Sequence, residues 1–161
     1  MPDNSTQMFF LSLILAVNTI VFTALSMAYQ RSHNKRSVRP LCNIHQFLTT
    51  SKAGISIQNA GLGPMMIHNV VLLKSYDSSV KNGTQFSDAI PPDPNYNVAV
   101  NHSDLYVLAC QSEIKLFHYT SVVPNDKRIE RLKRLLHGMT ICVQYQDIYD
   151  DRYEKREPLI F

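Results

Sequence analysis

Residues Met8 to Tyr29, MFFLSLILAVNTIVFTALSMAY, run 22 positions without a charge, and nothing else in the chain constrains the fold as tightly. A helix over this stretch is roughly 33 Å long at about 1.5 Å per residue, enough to cross a bilayer's hydrocarbon core. Inside hydrocarbon the backbone must satisfy its own hydrogen bonds, which leaves a helix or a closed barrel. One segment cannot close a barrel. The expected organisation is a short extracytoplasmic tail (1–7), one transmembrane helix (8–30), a basic linker (31–39) and one folded domain (40–161).

Two other readings compete for the apolar stretch. A secretory signal peptide has a basic start and a short apolar core before a small-residue cleavage site. Here Met1 to Gln7 holds no Lys or Arg and carries Asp3, and the apolar run is long, although Ala24-Leu25-Ser26 resembles a cleavage site. A buried core helix is the other rival, and 22 uncharged residues in a row argue against it. Orientation follows from flanking charge. Arg31, Lys35, Arg36 and Arg39 follow the stretch and no basic residue precedes it, so the rule that basic flanks stay inside places the domain in the cytoplasm. The expected location is the cell (inner) membrane, with the N-terminus outside. Anionic headgroups would also attract this cluster. Asn18 sits near mid-helix, where an amide often bonds to a partner helix.

All 16 basic residues and 12 of the 13 acidic ones follow residue 30, so that part carries +4. The balance is mildly basic and gives no reason to expect nucleic acid as a partner. About 120 residues beyond the linker suffice for one hydrophobic core. Cys42, Cys110 and Cys142 are odd in number and lack metal-ligand spacing, as suits free thiols in a reducing compartment.

The domain reads as short strands between turn formers. Leu41–Thr49, Gly54–Gln58 and Met65–Ser75 are expected strands, with the turn Asn59-Ala60-Gly61-Leu62-Gly63-Pro64 between the last two. There the glycines are expected to supply positive φ and Pro64 an extended restart. Residues 76–104, rich in Asp, Ser, Asn, Gly and Pro, are expected to be the least structured part, with an edge strand around Asn97–Val100. Leu105–Ala109 and Ile114–Thr120 are expected to form a hairpin. A helix follows, capped by Asn125 or Asp126, with Ile129, Leu132, Leu135 and Leu136 inward and Gly138 ending it. Met139–Tyr149 and Arg152–Phe161 are expected as the last strands, with a turn at Asp150-Asp151. This count implies a mainly β fold: an antiparallel immunoglobulin-like β-sandwich with one short helix, preceded by the transmembrane helix. No β–α alternation suggests a doubly wound sheet.

Three phrases carry a resemblance: Ile55 to Val70, ISIQNAGLGPMMIHNV; Glu113 to Phe117, EIKLF; and Val143 to Tyr149, VQYQDIY, followed by Arg152-Tyr153-Glu154. Together they resemble a loose set of small bacterial proteins with one N-terminal membrane helix and an immunoglobulin-like sandwich, most without an assigned function. The set joins two strands by an N-x-G-x-G-P-x-x-I turn and ends on a Y-x-D-I-Y-G-x-x-Y hairpin. Here Asp150 and Asp151 stand where the glycine would be. The likeness covers residues 40–157 and implies a fold, not a chemistry.

Chemical motifs are weak by comparison. The turn Asn59, Gly61, Gly63, Pro64 lacks the Gly-Lys-Ser/Thr of a P-loop and the third glycine of a dinucleotide fingerprint, so it reads as structural. Asp147, Asp150, Asp151 and Glu154 lack an EF-hand register and are expected to pair with Arg152, Lys155 and Arg156. The six histidines lie singly, without H-x-x-x-H. Cys110 is the best-placed thiol, in an expected turn, with nothing basic beside it in sequence to activate it. Lys127, Arg128, Arg131, Lys133 and Arg134 crowd the exposed side of the late helix, as an anionic-surface patch or a solvated face.

No catalytic motif, metal or cofactor is therefore expected. The chain is expected to bind a protein partner or a second copy of itself, with the bilayer as its other partner and the sandwich edges and the 76–104 loop as contact surfaces. One alternative is a membrane-anchored sensor-effector that takes a small anionic or nucleotide ligand. The other, if the orientation is reversed, is a periplasmic or envelope accessory domain.

Overall fold

A computed structural model of the chain describes residues 4–74, 76, 79–90, 97–98, 106–122 and 126–161, with side chains at all of these except 97–98. It divides into two units, Met1–Ser37 and Val38–Phe161.

The first unit is one helix, α1 (Asn4–Ser37), 34 residues and so about 51 Å long. By length and composition α1 can cross a membrane. None of its side chains is buried, which sets it apart from a core helix. The helix runs on through Arg31, Lys35 and Arg36, so the expected 31–39 linker shrinks to Val38 and Arg39. No Gly or Pro interrupts the sequence between Asn4 and Pro40, and Lys35 and Arg36 in the last turn complement the negative end of the helix dipole. Pro40 then stops the helix, because it disfavours helical backbone in the residue before it.

The second unit is built from two antiparallel sheets. Strands β1 (Cys42–Leu48), β2 (Lys52–Asn59), β5 (Asn97–Val98) and β7 (Glu113–Thr120) form one, in the order β1-β2-β7-β5. Strands β3 (Met65–Leu73), β4 (Thr84–Gln85), β8 (Thr140–Gln146) and β9 (Arg152–Pro158) form the other, in the order β4-β3-β8-β9, with β6 (Tyr106–Leu108) also on β3. One core serves both: Ile44, Ile55, Ile57, Leu116 and Phe117 from the first sheet cluster with Met65, Ile67, Val70, Ile141 and Val143 from the second. Helix α3 (Lys127–Leu136) adds Ile129, Leu132 and Leu136. Alternation predicts a half-buried β2, yet Gly54 and Ser56 are buried too. The Phe47 ring lies across Gly54 so closely that an added Cβ would sit 2.2 Å from Phe47 Cζ, and it meets His118 at 5.8 Å. An aromatic ring over a glycine closes the outer face at that point.

Three sequence expectations change. The Leu105–Thr120 hairpin does not form, because β6 pairs with β3 and β7 with β2, so the Ala109–Ser112 turn carries the chain from one sheet to the other. The 76–104 stretch holds real structure: β4 pairs with Val71 and Leu72, and helix α2 (Phe86–Ala89) buries Phe86, with Ile90 buried just after it. An apolar pair four residues apart anchors a segment whose composition reads as loop. The last strand stops at Pro158, and Leu159 and Phe161 fold into the core. Of the expected features, Ser75, Ala99 and Val100, Leu105, Asn125 and most of residues 91–104 lie outside the described residues.

Candidate functional site

The strands run so that β1 starts, β2 ends, β6 ends, β7 starts, β8 ends and β9 starts at one end of the second unit. The chain enters there, at Val38. Asn59 binds this end together. Its Oδ1 accepts from the Gly61 and Leu41 N–H groups at 3.0 and 3.3 Å. Its Nδ2 lies 2.7 Å from the Gly63 carbonyl and 3.2 Å from those of Leu108 and Ala109. The side chain is fully buried, so each bond replaces one that water would otherwise make. The backbone joins in: Gln111 N–H donates to the Asn59 carbonyl, and Asn59 N–H to that of Ser112.

Asn59, Gly61, Gly63 and Pro64 therefore form a structural turn, for a different reason than φ. Gly138 is the only glycine at positive φ among the described residues. A Cβ on Gly61 would come within 2.4 Å of the Arg39 carbonyl, and one on Gly63 within 1.8 Å of the Val38 carbonyl. The glycines let the incoming chain lie directly on the turn. Close approach is the requirement.

Beside this knot, the Arg39 guanidinium sits 4.5 Å from the centre of the Tyr153 ring, which stacks on Tyr145 at 5.4 Å. The expected basic cluster is thereby split: Arg31, Lys35 and Arg36 belong to α1, while Arg39 belongs to the folded unit. Buried Asp147 holds the β8–β9 turn, accepting from the Tyr149 and Asp151 N–H groups at 2.8 and 3.0 Å and from the Tyr153 hydroxyl at 3.1 Å. Asp150 takes the left-handed conformation, φ 63°. Glu154 pairs with Arg156 at 2.6 Å on its own strand, not across the hairpin, and Arg156 chiefly holds its carboxyl below the usual range.

A pocket of about 450 Å³ lies along the start of β9, lined by His68, Gln144, Tyr145, Arg152, Tyr153 and Glu154. His68 follows buried Ile67 in the alternation of β3 and so stands exposed on the outer face, beside a slip in the β3–β8 ladder between Ile67 and Asn69. Glu154 is committed to Arg156 and accepts from Gln144, so the pocket presents polar side chains already bonded to one another on its Glu154 side. Sequence reasoning missed this pocket, because its lining comes from β3, β8 and β9, which only strand pairing brings together.

At the opposite end, one strand length or about 20 Å away, α3 exposes Lys127, Arg128, Arg131, Lys133 and Arg134. Lys127, Arg131 and Arg134 are spaced i, i+4, i+7 and so share one ridge. Asp126 caps the helix: it accepts from the Tyr119 and Ser121 hydroxyls and from the Arg128 N–H, which together pull its carboxyl from 3.8 to about 2. The α3 patch and Val38 thus occupy opposite ends of the second unit.

The entry end also exposes large apolar side chains from three separate segments, Leu41, Leu62 and Ile148. Cys110 is exposed there as well, whereas burial pushes the Cys42 thiol up to about 12 and the Cys142 thiol up to about 11. Among the described residues no three of His, Cys, Asp or Glu gather as a metal site. Asn18 lies exposed on α1. No protein-family model matches this chain, and no curated protein matches it.

Proposed function

We propose that the chain is a single-pass membrane protein whose second unit is an immunoglobulin-like β-sandwich, held at the cytoplasmic face as a binding module for a protein partner or a second copy of itself. The strand order carries this reading. One sheet in the order β1-β2-β7-β5 and the other in the order β4-β3-β8-β9 correspond to A-B-E-D and C′-C-F-G of such sandwiches. In that architecture the loops cluster at the two ends, one of which serves recognition in variable domains, and here one end gathers Leu41, Leu62 and Ile148 in water. Helix α1 supports the anchor, and Arg31, Lys35 and Arg36 on its C-terminal side support the orientation. Anchoring raises the local concentration of the module toward membrane-bound partners.

A reporter active only in the cytoplasm, fused through a linker after Phe161, tests the reading in intact cells. Activity is the expected result. A fusion that is made, stays membrane-bound and remains silent overturns the cytoplasmic placement and leads to the envelope alternative.

A further inference from the structure

Helix α1 carries several polar side chains within its apolar stretch, and their hydrogen bonding separates them. The hydroxyls of Ser12, Thr19 and Thr23 each donate to a carbonyl three or four residues earlier, at 2.8 Å. Those groups ask nothing of a neighbour. Asn18 is different. It is the eleventh of the 22 uncharged residues, roughly 15 Å from either end of the run. Among the described residues none exchanges a hydrogen bond with its amide. Hydrocarbon supplies no partner either, and an amide has two donors and two acceptor lone pairs to satisfy.

We infer that Asn18 pairs with Asn18 of a second copy, making α1 a parallel homotypic contact; this rests on α1 spanning a bilayer. The amide is its own complement, since one side chain's carbonyl accepts from the other's N–H and the reverse. A two-fold axis between the helices repeats that exchange. Copies inserted with the same orientation bring Asn18 to the same depth automatically, which a chance partner would have to match. Leu11, Ile14, Val21 and Leu25 stand at heptad spacing around Asn18, and a single Asn at such a seam fixes register. Ser12, Ala16, Thr19, Thr23 and Ser26 mark a second, small-residue face. Three of its four hydroxyls already bond to their own backbone, and the fourth, Ser26, stands near the end of the run, so the unmet demand at mid-membrane depth lies at Asn18.

The full chain, labelled at exposed Cys110 with donor or acceptor dye and reconstituted in lipid vesicles, gives the test by energy transfer as lipid dilutes the protein. Alkaline washing of the vesicles first shows whether the chain is retained in the bilayer. Release in that wash defeats the anchor reading and the pairing with it, whereas retention isolates the pairing. Wild type is expected to transfer energy in a dilution-dependent way. Asn18→Leu is expected to weaken association by about 3- to 20-fold, the range for interhelical polar contacts, and Asn18→Gln to keep most of it. A retained wild type that is monomeric at every dilution overturns the inference. So does an Asn18→Leu chain that associates like wild type, or an Asn18→Gln chain as weak as the Leu variant.

Discussion

Asn59 ties its own turn, through Gly61 and Gly63, to two segments distant in sequence: the chain entering at Leu41 and the Leu108–Ser112 passage from the end of β6 to the start of β7. Replacing it by Ala strands buried carbonyls and N–H groups at once. Each such group costs about 1–3 kcal/mol, so Asn59→Ala is expected to destabilise the fold by about 3 kcal/mol or more. The near-ultraviolet signal of the stacked Tyr145–Tyr153 pair, followed in urea, reports the change, and a loss below about 1 kcal/mol would contradict the role given to this side chain. The sequence marks the position, since Asn before x-Gly-x-Gly-Pro signals a turn. It does not reveal what the turn is for. Gly61 and Gly63 look like residues chosen for positive φ, while their actual constraint is the carbonyls of Arg39 and Val38, which only the tertiary path brings near.

Elements with a clear local period were the legible ones. The uncharged run gives α1, the alternation around Ile55 gives β2, and the Ile129, Leu132, Leu136 spacing gives α3. Pairing was less legible, because the backbone at Ala109–Ser112 turns as a hairpin would, while β6 pairs with β3 and β7 with β2. The cap of α3 carries a pH dependence. Bonds from Tyr119, Ser121 and Arg128 hold Asp126 ionised, with its carboxyl depressed from 3.8 to about 2. A depressed carboxyl stabilises the fold at pH values above its ordinary one and loses that contribution as pH falls through the lowered one. Asp126→Ala is therefore expected to melt below wild type near neutral pH, with the two melting points converging between about pH 4 and pH 2. Thermal melts across that range check it, and a gap that persists unchanged at the acid end would contradict the assignment.

At the scale of the whole molecule, charge and apolar surface are distributed unevenly. The exposed cations of α3 lie at one end of the second unit, and Leu41, Leu62 and Ile148 lie at the other, next to Val38. The edge strand β9, with Arg152, Glu154, Lys155, Arg156 and Glu157, is charged enough to discourage strand addition along that edge. The three thiols are distributed just as unevenly, and they give the most direct measurement: labelling by a membrane-impermeant maleimide in intact and permeabilised cells. Cys142 is buried and Cys42 half-buried, burial makes both hard to ionise, and Cys110 is exposed. A membrane-anchored, cytoplasmic sandwich predicts no label on intact cells, one label per chain after permeabilisation, and none in Cys110→Ser. Label on intact cells would contradict the placement, and label persisting in Cys110→Ser would contradict the fold.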